Sequence, residues 1–240
     1  MQNPAAKPID RARIRGLIFD VDGTLADTDD NMAYKIESVL KPVHALFKPG
    51  QAQKFSRRFV YFSEGPMNWI LNVADRIGVD SWLAYFLDWR AKRDMRVPNR
   101  YTVHPQIPGV TPMLQALSTR YPMAVVTNRN EVTTRAFLDS HNLTRFFTVV
   151  LASQSCKHTK PFADPLIAAA NAMDVPVEDC LMIGDTIVDV HAAIAAKTQS
   201  LAVLCGFGTE KQLLKAGVQE ILPSTSQLAE FLISEPSSLG

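Results

Sequence analysis

The feature that most constrains this chain is a series of short, unbroken apolar runs, each ending on a turn or polar residue. They are Ile14 to Phe19, Met123 to Val126, Phe147 to Leu151, Cys180 to Ile183 and Leu201 to Leu204. Runs of this length with no apolar–polar alternation are what strands buried on both faces look like. Between the later ones lie segments of helical period: Val110 to Arg120, Glu131 to His141, Pro165 to Met173 and Asp189 to Ala196. Strands alternating with helices of that size predict βαβ units and a doubly wound, mostly parallel sheet, an α/β fold.

From about Asn31 to Arg100 the rhythm stops. That interval holds eleven aromatics, including Trp69, Trp82 and Trp89, and no run resembling a buried strand. It predicts an inserted helical domain at 31–100, with the α/β core formed by 1–30 and 101–240. Charge divides along the same line. The interval has twelve Lys and Arg against six Asp and Glu, or +6, and the remainder −5, although the whole chain is only +1.

Neutrality overall gives no molecule-wide field for nucleic acid or an acidic membrane. Three scattered cysteines, Cys156, Cys180 and Cys205, form no CxxC pair and suit a reducing compartment. Met1 to Gly16 has no apolar signal-peptide region, and no apolar run reaches the roughly 18 residues of a membrane span. The expectation is a cytoplasmic protein.

In open α/β sheets ligands bind beyond the carboxyl ends of the strands, so the residues after each apolar run carry the functional signal. They are Asp20-Val21-Asp22-Gly23-Thr24, then Thr127-Asn128, and Gly184-Asp185 with Asp189 four residues on; Lys160-Pro161 precedes the helix near Pro165. Each has an ordinary reading alone. Asp22-Gly23 is a common turn, Thr127 and Asn128 could cap a helix, and Lys160 could be solvated. Asp185 and Asp189, read as i and i+4 on one helix face, would repel unless a cation or the helix N-terminus relieved them. An ionised Asp20 at a buried strand end is costly unless paired or metal-bound.

Together they form a phosphoryl-transfer set. Carboxylates without His or Cys suit a hard divalent ion, Mg²⁺ before zinc or copper. A carboxylate beside it can attack phosphorus, and Asp22, two residues on, points the same way as an acid/base. A lysine and a hydroxyl would hold the phosphoryl oxygens.

In this order the four segments resemble the motifs of the haloacid dehalogenase superfamily. Asp27-Thr28 and Gly206-Phe207-Gly208-Thr209 look like its phosphoglycolate phosphatase-like branch, whose helical insertion after the first motif is called a cap. The resemblance implies a phosphatase acting on a small phosphorylated metabolite. It makes Asp20 nucleophile and metal ligand, and Asp22 general acid/base with a metal-binding carbonyl. Asp185 would bind Mg²⁺, with Asp189 in its outer shell. Gly23, Thr127, Asn128 and Lys160 would surround the phosphoryl group. Two departures stand out: Lys197 falls where the branch has glycine, and Ala152 to Ser155 lacks an acidic pair.

Asp22 argues against dehalogenation, which has no leaving oxygen to protonate. A phosphomutase shares all four motifs, and a phosphonatase would need a Schiff-base lysine from Lys35, Lys41, Lys48 or Lys54. A non-catalytic regulatory or nucleic-acid-binding protein should lack Asp20 or Asp22. A monomer and a homodimer are equally compatible with the sequence.

Overall fold

The computed structural model describes residues 6–28 and 104–233. The chain divides into two compact units, Met1–Asp29 with Val103–Gly240, and Asp30–Thr102. The helical domain expected at 31–100 lies outside the described residues.

Six strands form one parallel sheet: β1 (Gly16–Phe19), β2 (Met123–Val126), β3 (Val149–Leu151), β4 (Cys180–Gly184), β5 (Gln199–Val203) and β6 (Glu220–Leu222). Their spatial order is β3-β2-β1-β4-β5-β6. The intervening helices are α1 (Val110–Ser118), α2 (Glu131–Ser140), α3 (Asp164–Ala172), α4 (Ile187–Ala196), α5 (Glu210–Ala216) and α6 (Leu228–Ile233). This is the doubly wound α/β order, reversing direction at β1, the place at which sheets of this kind bind ligands beyond the strand ends.

The apolar runs become strands because both faces of the sheet are covered. Leu17 and Phe19 of β1 face one core with Val125, Leu181 and Ile183, packed against Leu114 and Leu117 of α1 and Phe137 and Leu138 of α2. Ile18 points the other way, with Ala124, Val126 and Met182, onto Leu166, Ala169 and Ala170 of α3 and Ala192, Ala193 and Ala196 of α4. The period-two alternation of a strand therefore feeds two separate cores.

Several boundaries move. Ile14 and Arg15 precede β1, Phe147 and Thr148 precede β3, and β5 starts two residues earlier than its apolar run. The edge strand β6 and helices α5 and α6 carried no run long enough to read. Among the described residues, no helix is long and apolar enough to cross a membrane.

Candidate active site

The carboxyl ends of β1 and β4, adjacent and hydrogen-bonded in register from Gly16–Cys180 to Phe19–Ile183, bring two acidic loops together. Asp20 follows β1 directly, its amide donating to the Ile183 carbonyl at 2.9 Å. Asp185 follows β4. Asp189 is the third residue of α4, not a helical partner of Asp185 as the i,i+4 spacing had suggested, because α4 begins only at Ile187. Its Oδ2 accepts from the Thr186 amide at 3.1 Å and the Thr186 hydroxyl at 2.8 Å. A carboxylate there satisfies an otherwise unpaired first-turn donor and meets the positive end of the helix dipole.

Lys160 bridges the two loops. Its Nζ lies 2.8 Å from Asp20 Oδ1 and 2.7 Å from Asp189 Oδ1. Burial opposes its charge, but Asp189 and Asp20 outweigh that and hold the ammonium protonated. Burial, opposed by Lys160 and reinforced by Asp189, pushes Asp20 up to about 7. Asp185, fully buried, is raised well above the ordinary carboxylate range by burial and then by Asp189 and Asp20.

These groups fit a divalent cation. Asp20, Asp185 and Asp189 each offer an oxygen within 4.8 Å of the others. Both Asp189 oxygens are already engaged, whereas Asp20 Oδ1 and Asp185 Oδ1 are buried without an aligned hydrogen-bond donor. An all-oxygen donor set with two such atoms suits a hard ion. The remaining Asp185 oxygen accepts from the Phe207 amide at 2.7 Å.

Glycines clear the space around Asp185. Gly23 takes φ +68°, and a Cβ on it would lie 2.2 Å from Asp185 Oδ2; one on Gly206 would lie 2.1 Å away. This close approach is what Gly23 contributes, since its own amide already donates to the Ala26 carbonyl at 2.9 Å. That amide is thus engaged within its own loop.

Thr127 directly follows β2 and is buried, its hydroxyl oxygen accepting from the Arg129 amide at 3.2 Å. Asn128 does not meet the carboxylates. Its Nδ2 donates to the Lys160 carbonyl at 3.0 Å and ties the lysine's loop to β2. Neither residue caps α2; Asn130 does, accepting from the Thr133 amide at 2.9 Å.

Sequence reasoning missed one residue of the site. Arg129 grips Asp22 at both oxygens, Nε to Oδ2 at 3.1 Å and Nη2 to Oδ1 in a short charged contact. An arginine directly after the polar end of a central strand was the available signal. Counting the site's side chains, four carboxylates face two cations, Lys160 and Arg129. Two negative charges remain, the balance of one divalent ion.

With this geometry in place, similarity to known proteins becomes decisive. Residues 17–203 match the family of haloacid dehalogenase-like hydrolases. The chain belongs to that family. Among relatives of this hydrolase, a phosphoglycolate phosphatase from Aquifex aeolicus is 25% identical over 228 residues, covering 94% of this chain and 95% of the relative. Another, from Neisseria meningitidis, is 29% identical over 205 residues, covering 81% and 82%. A solved haloacid dehalogenase-like family hydrolase from Streptococcus pneumoniae superposes with TM-score 0.63 at 21% identity, covering 92% of this chain and 99% of that one. The last likeness bears on the fold, which is that of the family.

Proposed function

We propose that this hydrolase is an Mg²⁺-dependent phosphomonoesterase acting on a small phosphorylated metabolite, rather than on nucleic acid or a membrane, through an aspartyl phosphate at Asp20. The observation that carries the reading is Asp20 itself: a carboxylate at the end of the central strand, 2.8 Å from a buried lysine and within 4.8 Å of two further carboxylates. The phosphoglycolate phosphatases among its relatives support a small phosphate ester as substrate.

Asp20, Asp185 and the Asp22 carbonyl would hold Mg²⁺, with Asp189 behind them; bound there, it neutralises charge between the two anions that must meet. In the first step an Asp20 oxygen bonds to phosphorus and the ester P–O bond breaks. The departing alkoxide takes a proton from Asp22. Lys160 and the Thr127 hydroxyl hold phosphoryl oxygens as negative charge spreads over them. In the second step water attacks the aspartyl phosphate and gives its proton to Asp22. The bond to Asp20 breaks, releasing inorganic phosphate and restoring both carboxyl groups.

The test is p-nitrophenyl phosphate hydrolysis with Mg²⁺, with chelator, and in Asp20→Asn. Turnover that needs the metal and falls at least 10³-fold in the variant is expected. Its absence from the wild-type protein across several divalent metals refutes the reading.

A further inference from the structure

The turn Asp22-Gly23-Thr24 is held from a part of the chain that the proposed chemistry does not use. Its amides are spent close by. Gly23 donates to the Ala26 carbonyl at 2.9 Å, and Thr24, Leu25 and Ala26 donate to the Val21 carbonyl at 3.3, 2.9 and 2.8 Å. The turn is thus a compact unit whose carbonyls at Gly23 and Thr24 must find donors elsewhere. The Thr225 hydroxyl donates to the Thr24 carbonyl at 2.6 Å, and the Cys205 thiol donates to the Gly23 carbonyl at 3.5 Å. Cys205 Sγ also lies 3.5 Å from Thr225 Oγ1, so the two supports touch.

Thr225 is the firmer of the two. It is fully buried, so no water replaces its hydroxyl, and 2.6 Å is at the short end for an O–H···O bond, whereas a thiol is a weak donor. The short 3-10 turn that carries it, Thr225–Gln227, is itself fixed. Ser224 Oγ accepts from the Ser226 amide at 3.4 Å, and Leu228 and Leu232 of α6 are buried in the core beneath β1. The start of α1 packs so closely on the turn that a Cβ on Gly109 would lie 2.7 Å from Ser226 Cβ. Thr225 stands outside residues 17–203 that match the family, and 201 positions from Thr24.

We propose that Thr225 is a positioning residue for Asp22. Arg129 holds the Asp22 carboxylate, but the backbone that sets how far this side chain reaches is the turn that Thr225 anchors. The proposal rests on the phosphomonoesterase reading and adds to it a residue that touches no reacting atom. Without the hydroxyl the Thr24 carbonyl is left buried and unpaired, and the turn shifts to relieve it. Asp20, tied into the sheet through its own amide on Ile183, stays in place. Loss of the Thr225 hydroxyl therefore impairs proton transfer by Asp22 and spares attack by Asp20.

The experiment compares Thr225→Val, which keeps the shape and removes the hydroxyl, with Thr225→Ser, which keeps the hydroxyl. Each is assayed with Mg²⁺ on p-nitrophenyl phosphate, whose leaving group needs little protonation, and on the alkyl esters 2-phosphoglycolate, glycerol 1-phosphate and glucose 6-phosphate. Thr225→Val should cut kcat on the alkyl esters by about tenfold more than on p-nitrophenyl phosphate, and Thr225→Ser should recover most of that difference. In an Asp22→Asn background, Thr225→Val should change the ratio no further, because the two residues act in series. An equal loss on both classes of ester, or a ratio that falls again in Asp22→Asn, overturns the inference and leaves the phosphatase reading standing. So does a wild-type protein that hydrolyses p-nitrophenyl phosphate and none of the alkyl esters, and so does a lowered Tm with the ratio unchanged, which would make Thr225 structural only. If Thr225→Val does not fold, Thr225→Ala against Thr225→Ser decides, since they differ by the hydroxyl alone; unfolding of both assigns Thr225 to the fold and ends the inference. No turnover of any ester by the wild-type protein defeats the phosphatase reading and this inference with it.

Discussion

At the scale of single residues, the site is built from groups that are costly alone and tolerable together. Asp20 and Asp185 are buried carboxylates, and among the described residues the one buried lysine beside them, Lys160, is shared with Asp189. That Asp20, Lys160, Asp185 and Asp189 meet was legible because each lies just after a strand, just before a helix or in a helix's first turn, where an α/β sheet collects its polar loops. The Arg129 fork was not, since nothing in a sequence shows which of several acids an arginine will face. Asp22 yields a prediction of its own. If it protonates the leaving oxygen, Asp22→Asn should slow esters of alkyl alcohols by at least tenfold more than p-nitrophenyl phosphate, whose leaving group needs little help. A plot of log kcat/KM against leaving-group pKa should steepen in the variant. An unchanged slope removes Asp22 from that role.

At the scale of elements, the apolar runs that are buried on both faces were readable and the short amphipathic pieces were not. β6 has three residues and begins with Glu220; α5 and α6 have seven and six. Such segments gain their structure from packing, as Leu213 and Ile221 do in their own small cluster with Val190 and Ala202. One departure from the family pattern has a visible local consequence. Lys197 caps α4 in the left-handed region, φ 62° and ψ 25°, with its amide donating back to the Ala193 and Ile194 carbonyls. The Schellman-type ending is thus made without glycine, at a steric cost of about 1–2 kcal/mol for an L side chain. Glycine loses more entropy on folding, so the net gain is smaller. Lys197→Gly should raise the unfolding free energy by about 1 kcal/mol and Tm by about 2–4 °C. Denaturant and thermal melts beside unchanged kcat/KM would show this; a loss of stability would mean that the lysine side chain is needed there.

At the scale of the whole molecule, the acidic centre couples folding to pH and to cations. A carboxyl group in the unfolded chain titrates near 3.8, whereas Asp20 in the folded protein is raised to about 7, and Asp185 is raised as well. Between those values the folded state keeps protons that the unfolded state has released. Unfolding free energy then falls as pH rises: the contribution is fully present below about pH 4 and lost by the time pH passes 7. At 1.36 kcal/mol per pH unit the span amounts to roughly 4 kcal/mol for Asp20 alone, an upper bound because it is coupled to its neighbours. A divalent cation does the protons' work at higher pH and stabilises whichever state binds it. In chelator, Tm should therefore decline from pH 5 to pH 8. Millimolar Mg²⁺ should leave it unchanged at pH 5 and restore it at pH 8, where no proton competes. Asp185→Asn should flatten the decline and weaken the rescue together, because it removes a buried titrating carboxylate whose Oδ1 accepts no hydrogen bond. A Tm in chelator that holds steady or climbs across this range would mean that the carboxylates are neutralised by something other than protons or a bound cation.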